Sequence, residues 1–147
     1  MGYFSSLDIS ASGLTAQRLR MDTISQNIAN VNTTRTENGQ PYRRKTVLFE
    51  EKSGSVPFSD YLSKSISDRS AGSGVRVTAI VEDQSPFRRE YDPGHPDADE
   101  EGYVLKPNID IITEMVNMIS ATRAYEANVT SINTSKDMAM KALEIGR

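Results

Sequence analysis

The residues best suited to chemistry lie between Tyr91 and Asn108. Asp97, Asp99 and Glu101 sit at alternate positions and Gly102 follows, which is the opening spacing of a calcium loop. That loop ends on a bidentate carboxylate, and Asn108 stands where it is needed. The acidic run therefore reads as a solvated turn. His95, between Gly94 and Pro96, is the one histidine of the chain. A lone imidazole without thiolates does not make a zinc site, so His95 reads as a turn residue. Arg43, Arg44 and Lys45, beside Tyr42 and Phe49, could meet nucleic acid phosphates. Against that, Asp and Glu number 20 and Lys and Arg 17, for a net charge of −3. The basic cluster reads instead as a solvated strand face or a salt-bridge surface between subunits. There is no cysteine, which excludes disulfides, thiolate catalysis and zinc–cysteine sites. No phosphate-cradling glycine loop, nucleophile elbow or catalytic carboxylate pair stands out. The expectation is a chain with no catalytic, cofactor or metal site and with neither nucleic acid nor a small-molecule substrate as partner.

The elements that would position these residues are dominated by the C-terminal quarter. Residues 108–145 contain no Pro or Gly. Ile111, Met115, Met118, Thr122, Tyr125, Val129, Ile132, Lys136, Ala139 and Leu143 step by four and three alternately, the pattern of a coiled-coil seam. Asn108 is placed to cap the helix, Asp110 to sit in its first turn and Gly146 to stop it. The Tyr125 and methionine stripe reads as packing rather than as a cofactor box. At ~1.5 Å per residue this helix is a rod of roughly 55 Å.

Residues 5–32 form the second helix. Leu7, Leu14, Met21 and Ile28 repeat every seven, with Ile24 and Val31 three beyond the last two. Ser10 and Gln17 hold the alternate positions early on, so the seam is weak there. Gly13 costs about 1 kcal/mol against Ala and should soften the first turns. The helix should end near Asn30, where Asn and Thr compete for backbone hydrogen bonds. Its length is roughly 39 Å, so roughly 16 Å of the longer seam has no partner in its own chain. Residues 115–122 and 127–135 carry no charge. Solvated helix faces usually hold Lys and Glu. Small uncharged residues instead let neighbouring helices approach closely.

The middle of the chain is rich in turns. Residues 42–50 and a run from Val75 read as strands, and 87–91 as a third, together a small hairpin-like sheet. Residues 53–74 are rich in Ser and Gly; Phe58, Leu62 and Ile66 could mark one short helix, or the segment is a flexible loop. The fold class expected is mainly α, with long N- and C-terminal helices pairing as a coiled coil, parallel or antiparallel, around a small β-strand and loop-rich middle. The division is 1–34, the N-terminal helix; 35–107, the β and loop region with a variable loop at 51–73; and 108–147, the C-terminal helix. No apolar run approaches the ~18 residues of a membrane span. The N-terminus lacks a secretory signal pattern.

Two motifs carry a resemblance. Ser25-Gln26-Asn27-Ile28-Ala29-Asn30-Val31-Asn32-Thr33 is similar to the N-terminal signature of bacterial flagellar axial proteins, the rod, hook and hook-junction subunits. Arg123-Ala124-Tyr125-Glu126-Ala127-Asn128, with Lys136-Asp137-Met138 and Ala142-Leu143 after it, is similar to their shared C-terminal helix. The segment from Tyr91 through Asp99, with Glu101-Gly102-Tyr103-Val104 and Pro107-Asn108-Ile109-Asp110, resembles the proximal-rod members in particular, and Gly39-Gln40-Pro41-Tyr42-Arg43 agrees. The likeness covers about 1–50 and 74–147. It implies a structural subunit of the basal-body rod, without catalysis, crossing the periplasmic space or cell wall. It also implies export through the flagellar type III apparatus without a cleaved signal. The two terminal helices would form an inner layer around the export channel, with the strand region outside. Partners implied are the subunit itself, other proximal and distal rod proteins, the adaptor to the membrane-embedded MS ring, and the export gate in transit. The family-motif residues carried over are Asn27, Asn30, Asn32, Arg123, Tyr125 and Asn128. The rival reading is a cytoplasmic coiled-coil adaptor or export chaperone using the same helices.

Overall fold

Helix α1 spans Tyr3–Ala29 and helix α2 spans Ile111–Ile145 in the computed structural model, which describes residues 3–52 and 74–145. The short helix considered around Phe58, Leu62 and Ile66, and the stop at Gly146, lie outside the described residues. Helix α1 ends where Asn30 turns its side chain back. Its Nδ2 donates to the Gln26 carbonyl at 2.8 Å, and Thr33 Oγ1 donates to its Oδ1 at 3.2 Å. At the start of α2 the cap is Asp110 rather than Asn108. The Ile112 N–H donates to Asp110 Oδ1 at 3.3 Å and the Thr113 hydroxyl to Oδ2 at 2.6 Å. The Thr113 hydroxyl, with the N–H groups of Ile112 and Thr113, holds the Asp110 carboxyl below the usual range.

Among the described residues, four strands form two separate antiparallel ribbons. In the first, β1 (Lys45–Glu51) pairs with β2 (Val75–Glu82), from Lys45 opposite Glu82 to Glu51 opposite Val75, with a bulge at Leu48/Phe49. In the second, β3 (Arg88–Tyr91) pairs with β4 (Tyr103–Lys106). The single three-stranded sheet expected from the sequence is thus corrected: β3 finds its own partner in a four-residue strand. The acidic run closes that hairpin. Gly102, at φ +80°, makes the turn, and its N–H donates to the Asp99 carbonyl at 2.8 Å. The Tyr91 and Tyr103 rings then meet edge to face at 5.3 Å between centroids.

The helices run antiparallel. Ser10 Oγ lies 3.3 Å from Ser131 Oγ, Thr122 Oγ1 lies 3.6 Å from the Met21 sulfur, and Asn27 meets Glu114 at 3.0 Å. The contact within the chain falls beside the apolar stripe read from the sequence. On α1 the buried residues are Ser10, Gly13, Ala16, Thr23, Ile24 and Asn27; on α2 they are Glu114, Ala121 and Ser135. Small side chains win these positions because they let the two backbones come close. Leu7, Leu14, Met21, Ile28 and Val31 on one side, and Met118, Tyr125, Val129 and Ile132 on the other, are half-buried at its margins. Ile111, Met115 and Leu143 are exposed.

Gly13 is the point of closest fit. A Cβ there would stand 2.9 Å from Asn128 Oδ1, and the Asn128 amide is itself held by the Ala124 carbonyl at 2.8 Å. The residue that looked like a soft spot is a packing requirement. Gly13→Ala gains about 1 kcal/mol of helix propensity and loses ~1–3 kcal/mol to overpacking. It is expected to shrink swimming zones in soft agar, and adding Asn128→Ala should restore them. A single Gly13→Ala variant that swims as well as the parent at raised temperature would show that the Asn128 amide yields.

The lengths differ as the seams suggested: 35 residues in α2 against 27 in α1. With Ser10 opposite Ser131, the last turns of α2 run past the described start of α1. Met138, Met140, Leu143 and Ile145 in those turns are exposed.

Candidate functional site

At the other end of the helix pair a carboxylate is buried. Glu114, one turn into α2, is 1% exposed. A charge in that position is costly unless it is paired and hydrogen-bonded. It is both. Arg44 places Nη2 at 2.7 Å and Nε at 2.8 Å from Oε1, and Asn27 Nδ2 donates to Oε2 at 3.0 Å. The helix N-terminus adds favourable partial charge.

Asn27 is fully buried. Its Oδ1 accepts from the Lys45 N–H at 2.9 Å and from the Tyr42 hydroxyl at 3.3 Å. Its Nδ2 also donates to the Lys45 carbonyl at 2.8 Å. One amide side chain thus engages both main-chain groups of Lys45, as a neighbouring strand would, and passes on to Glu114. Burial, with the Glu82 and Glu114 carboxylates, pushes the Tyr42 phenol above its ordinary pKa.

The joint widens from there. Arg44 also lies 3.7 Å from the Asp83 carboxylate, whose pKa the Ser85 hydroxyl and N–H lower. The Arg44 N–H donates to Asn108 Oδ1 at 3.0 Å, and Asn108 Nδ2 reaches the Asp83 carbonyl at 3.2 Å. Arg43 lies over the Phe87 ring at 4.3 Å. The end of α1, the entry to β1, the exit from β2 and the start of α2 therefore meet in one polar cluster. The basic cluster expected on a solvated face or between subunits makes its main ion pair inside the chain. Glu114 and Asn108 were missed in these roles. The signal available was the seven-residue series Glu114, Ala121, Asn128 and Ser135, which marks the inner stripe of α2.

The acids of the calcium-like spacing face different partners. Asp97 accepts from the Thr34 hydroxyl at 2.8 Å and lies 3.7 Å from Arg35, and Glu101 lies 3.6 Å from Arg89. His95 Nδ1 accepts from the Asp97 N–H at 3.1 Å. Among the described residues no group of three His, Cys, Asp or Glu side chains could hold a metal ion, and no helix is long and apolar enough to cross a membrane. Of the family-motif residues, Asn27 is in the joint, Asn30 in the turn after α1, and Asn128 against Gly13. Tyr125 is half-buried, Arg123 is exposed, and exposed Asn32 lines an open cleft with Val31, Ile111 and Ile112.

The second feature is a surface. Ile112, Met115, Val116 and Ile119 are spaced by three and four, so they share one face of α2. All four are exposed, Ile112 at 74% and Val116 at 60%. A contiguous apolar stripe left in water marks an interaction site. Every polar atom of the Glu114 and Asn27 side chains is engaged with its own chain.

The family described as “Flagella basal body rod protein” matches residues 7–35, and that described as “Flagellar basal body rod FlgEFG protein C-terminal” matches residues 100–145. These segments contain most of α1 and all of α2. The chain is 54% identical to the flagellar basal-body rod protein FlgC of Bacillus subtilis (strain 168), over 100% of both chains. It is 51% identical to that of Borreliella burgdorferi over 99% of this chain and 98% of the relative. Identity to that of Salmonella typhimurium is 37% over the full length of both. The chain belongs to the FlgC family of flagellar basal-body rod proteins and is a structural subunit of the rod.

Proposed function

We propose that the subunit builds the proximal rod by laying its two helices side by side in an inner layer around the export channel, with both ribbons outside. The observation that carries this reading is the exposed stripe of Ile112, Met115, Val116 and Ile119 on a helix whose opposite side already packs on α1. A helix that already packs on one side and still exposes an apolar stripe on another has a second partner to find. The seam residues Leu7, Leu14, Met21, Ile28 and Val31, with Ile111, Met118, Tyr125, Val129, Ile132 and Leu143, then serve contacts that extend the coiled-coil packing from one subunit to the next, while Ile24 packs within its own chain. Residues 1–34 and 108–147 form the inner layer and 35–107 the outer one.

In this reading the partners are further copies, other proximal and distal rod proteins, and the adaptor to the MS ring. The chain reaches them through the type III export gate, uncleaved, and afterwards transmits torque as part of the drive shaft. Stability of the free subunit is low, because much of its apolar surface waits for neighbours, and docking completes its order. Electron cryomicroscopy of basal bodies purified from cells carrying the chain tests the arrangement. The expected map has α1 and α2 lining the channel, with the Ile112 face against an adjacent subunit. Helices at the rod's periphery, or that face open to solvent, would overturn it.

A further inference from the structure

We infer that the Asn27–Glu114–Arg44 joint is a register pin: it selects one axial alignment of α1 against α2 over those one heptad away. This inference concerns the subunit itself and stands whether or not the arrangement proposed above is correct.

The argument begins with what the interface lacks. Large apolar residues fix an alignment by filling matching gaps. Here the inner stripe of α2 after Glu114 is Ala121, Asn128 and Ser135, each seven residues from the last. Asn128 lies against Gly13 on α1, and Ser10 meets Ser131 beside the stripe. Apart from Asn128, which needs the space left at Gly13, the side chains of the stripe are too small to fix an alignment firmly. A slide of one heptad therefore keeps the same face inward, much as a strand of low pattern can slip along its partner.

Glu114 breaks the degeneracy. In the observed alignment its carboxylate meets the Asn27 amide and the Arg44 guanidinium, and Asn27 is in turn fastened to both main-chain groups of Lys45. One heptad in one direction sets Glu114 against Arg20 and leaves fully buried Asn27 facing Pro107. One heptad in the other sets Asn27 against Ala121 and carries Glu114 beyond the end of α1. Either slide takes the Glu114 carboxylate away from Asn27 and costs the buried Asn27 amide one of its hydrogen bonds. A single buried polar contact is the best-attested device for fixing coiled-coil alignment. This one joins different residue types, so it also fixes the antiparallel pairing. Its consequence is positional: it sets how far α2 runs beyond α1 and where the Ile112 face lies relative to the ribbons.

Cysteine pairs read the alignment directly, because the chain contains no cysteine. Three double variants are expressed at full length in cells and oxidised: Ser10→Cys with Ser131→Cys for the observed alignment, and Ser10→Cys with Ala124→Cys or Met138→Cys for the two slides. Without further change, the 10–131 bridge should exceed the other two by about tenfold or more. Asn27→Ala or Glu114→Ala should raise a slid bridge to the level of the 10–131 bridge. Glu114→Gln, which keeps a group able to bond Asn27, should hold the observed alignment. Asn128→Ala, in the same interface but outside the joint, should hold it too. Bridges confined to 10–131 in both alanine variants would overturn the inference. So would loss of all three bridges there and in Glu114→Gln alike, since the joint would then serve stability without selecting an alignment.

Discussion

Arg44→Ala is expected to remove the subunit from assembled rods and abolish swimming, whereas Glu114→Gln leaves a large part of both. The asymmetry follows from where the two charges sit. The Glu114 side chain is 1% exposed and the Arg44 side chain 26%. Removing the guanidinium leaves a carboxylate with no cation in a site water barely reaches, a loss of ~3–5 kcal/mol. Removing the carboxylate's charge leaves an arginine that still reaches solvent and still has Asp83 at 3.7 Å. Most small domains have only ~5–15 kcal/mol of net stability, so the first change should clear the chain from the cell. The double variant Arg44→Ala/Glu114→Gln should recover much of what Arg44→Ala loses, because the uncompensated charge is gone. Immunoblots of whole cells and of purified basal bodies, beside swimming zones, measure all three. If Glu114→Gln is as severe as Arg44→Ala, or the double variant is no better, the damage comes from lost geometry rather than from a stranded charge.

Val116→Asp and Ile112→Asp should also abolish swimming, for a different reason. Both positions are mostly exposed in the free chain, so the substitution costs it little beyond ~0.7 kcal/mol of helix propensity. The amount of chain in the cell should be nearly that of the parent. In an assembled rod the same carboxylate would lie in a packed apolar contact with no partner, at several kcal/mol per subunit. The subunit should therefore be present but absent from basal bodies. Rods that form and turn normally with Asp at both positions would show that this face of α2 is not an interface.

Two things were plain in the amino-acid sequence and three were not. The helices and three of the strands follow from periodicity and from uninterrupted runs, and they form within a few residues of where the pattern puts them. The rod family follows from short motifs at either end. The inner stripe was not singled out because hydrophobic spacing finds the apolar face, and here that face borders the contact, with Ile24 inside it and most of the others half-buried. Ser10, Gly13 and Asn128 carry no hydrophobic signal, yet they lie where the helices touch. Strand β4 escaped because four residues between Gly102 and Pro107 give too short a pattern. The joint escaped because its members are far apart in sequence: Asn27, Arg44 and Glu114 come from three segments, and no local spacing relates them. Arg44 was marked only as part of a basic cluster, and Asn27 only as part of a motif, without a reason for its being asparagine. Its four hydrogen bonds supply that reason, since an aspartate would lose the donor that serves both the Lys45 carbonyl and Glu114.

The scarcity of apolar residues inside the subunit has a thermal consequence. Among the described residues only Ala16, Ile24, Val47, Val104, Ile109 and Ala121 are buried hydrophobics. The heat-capacity change of unfolding tracks the apolar surface newly exposed to water. For this chain that change is small, so the free subunit has a shallow stability curve, with neither a sharp optimum nor a steep decline on warming. In the packing proposed above, the large negative heat-capacity change that a globular protein shows on folding comes when the helices meet their neighbours. Temperature therefore acts less on the subunit than on the rod it enters.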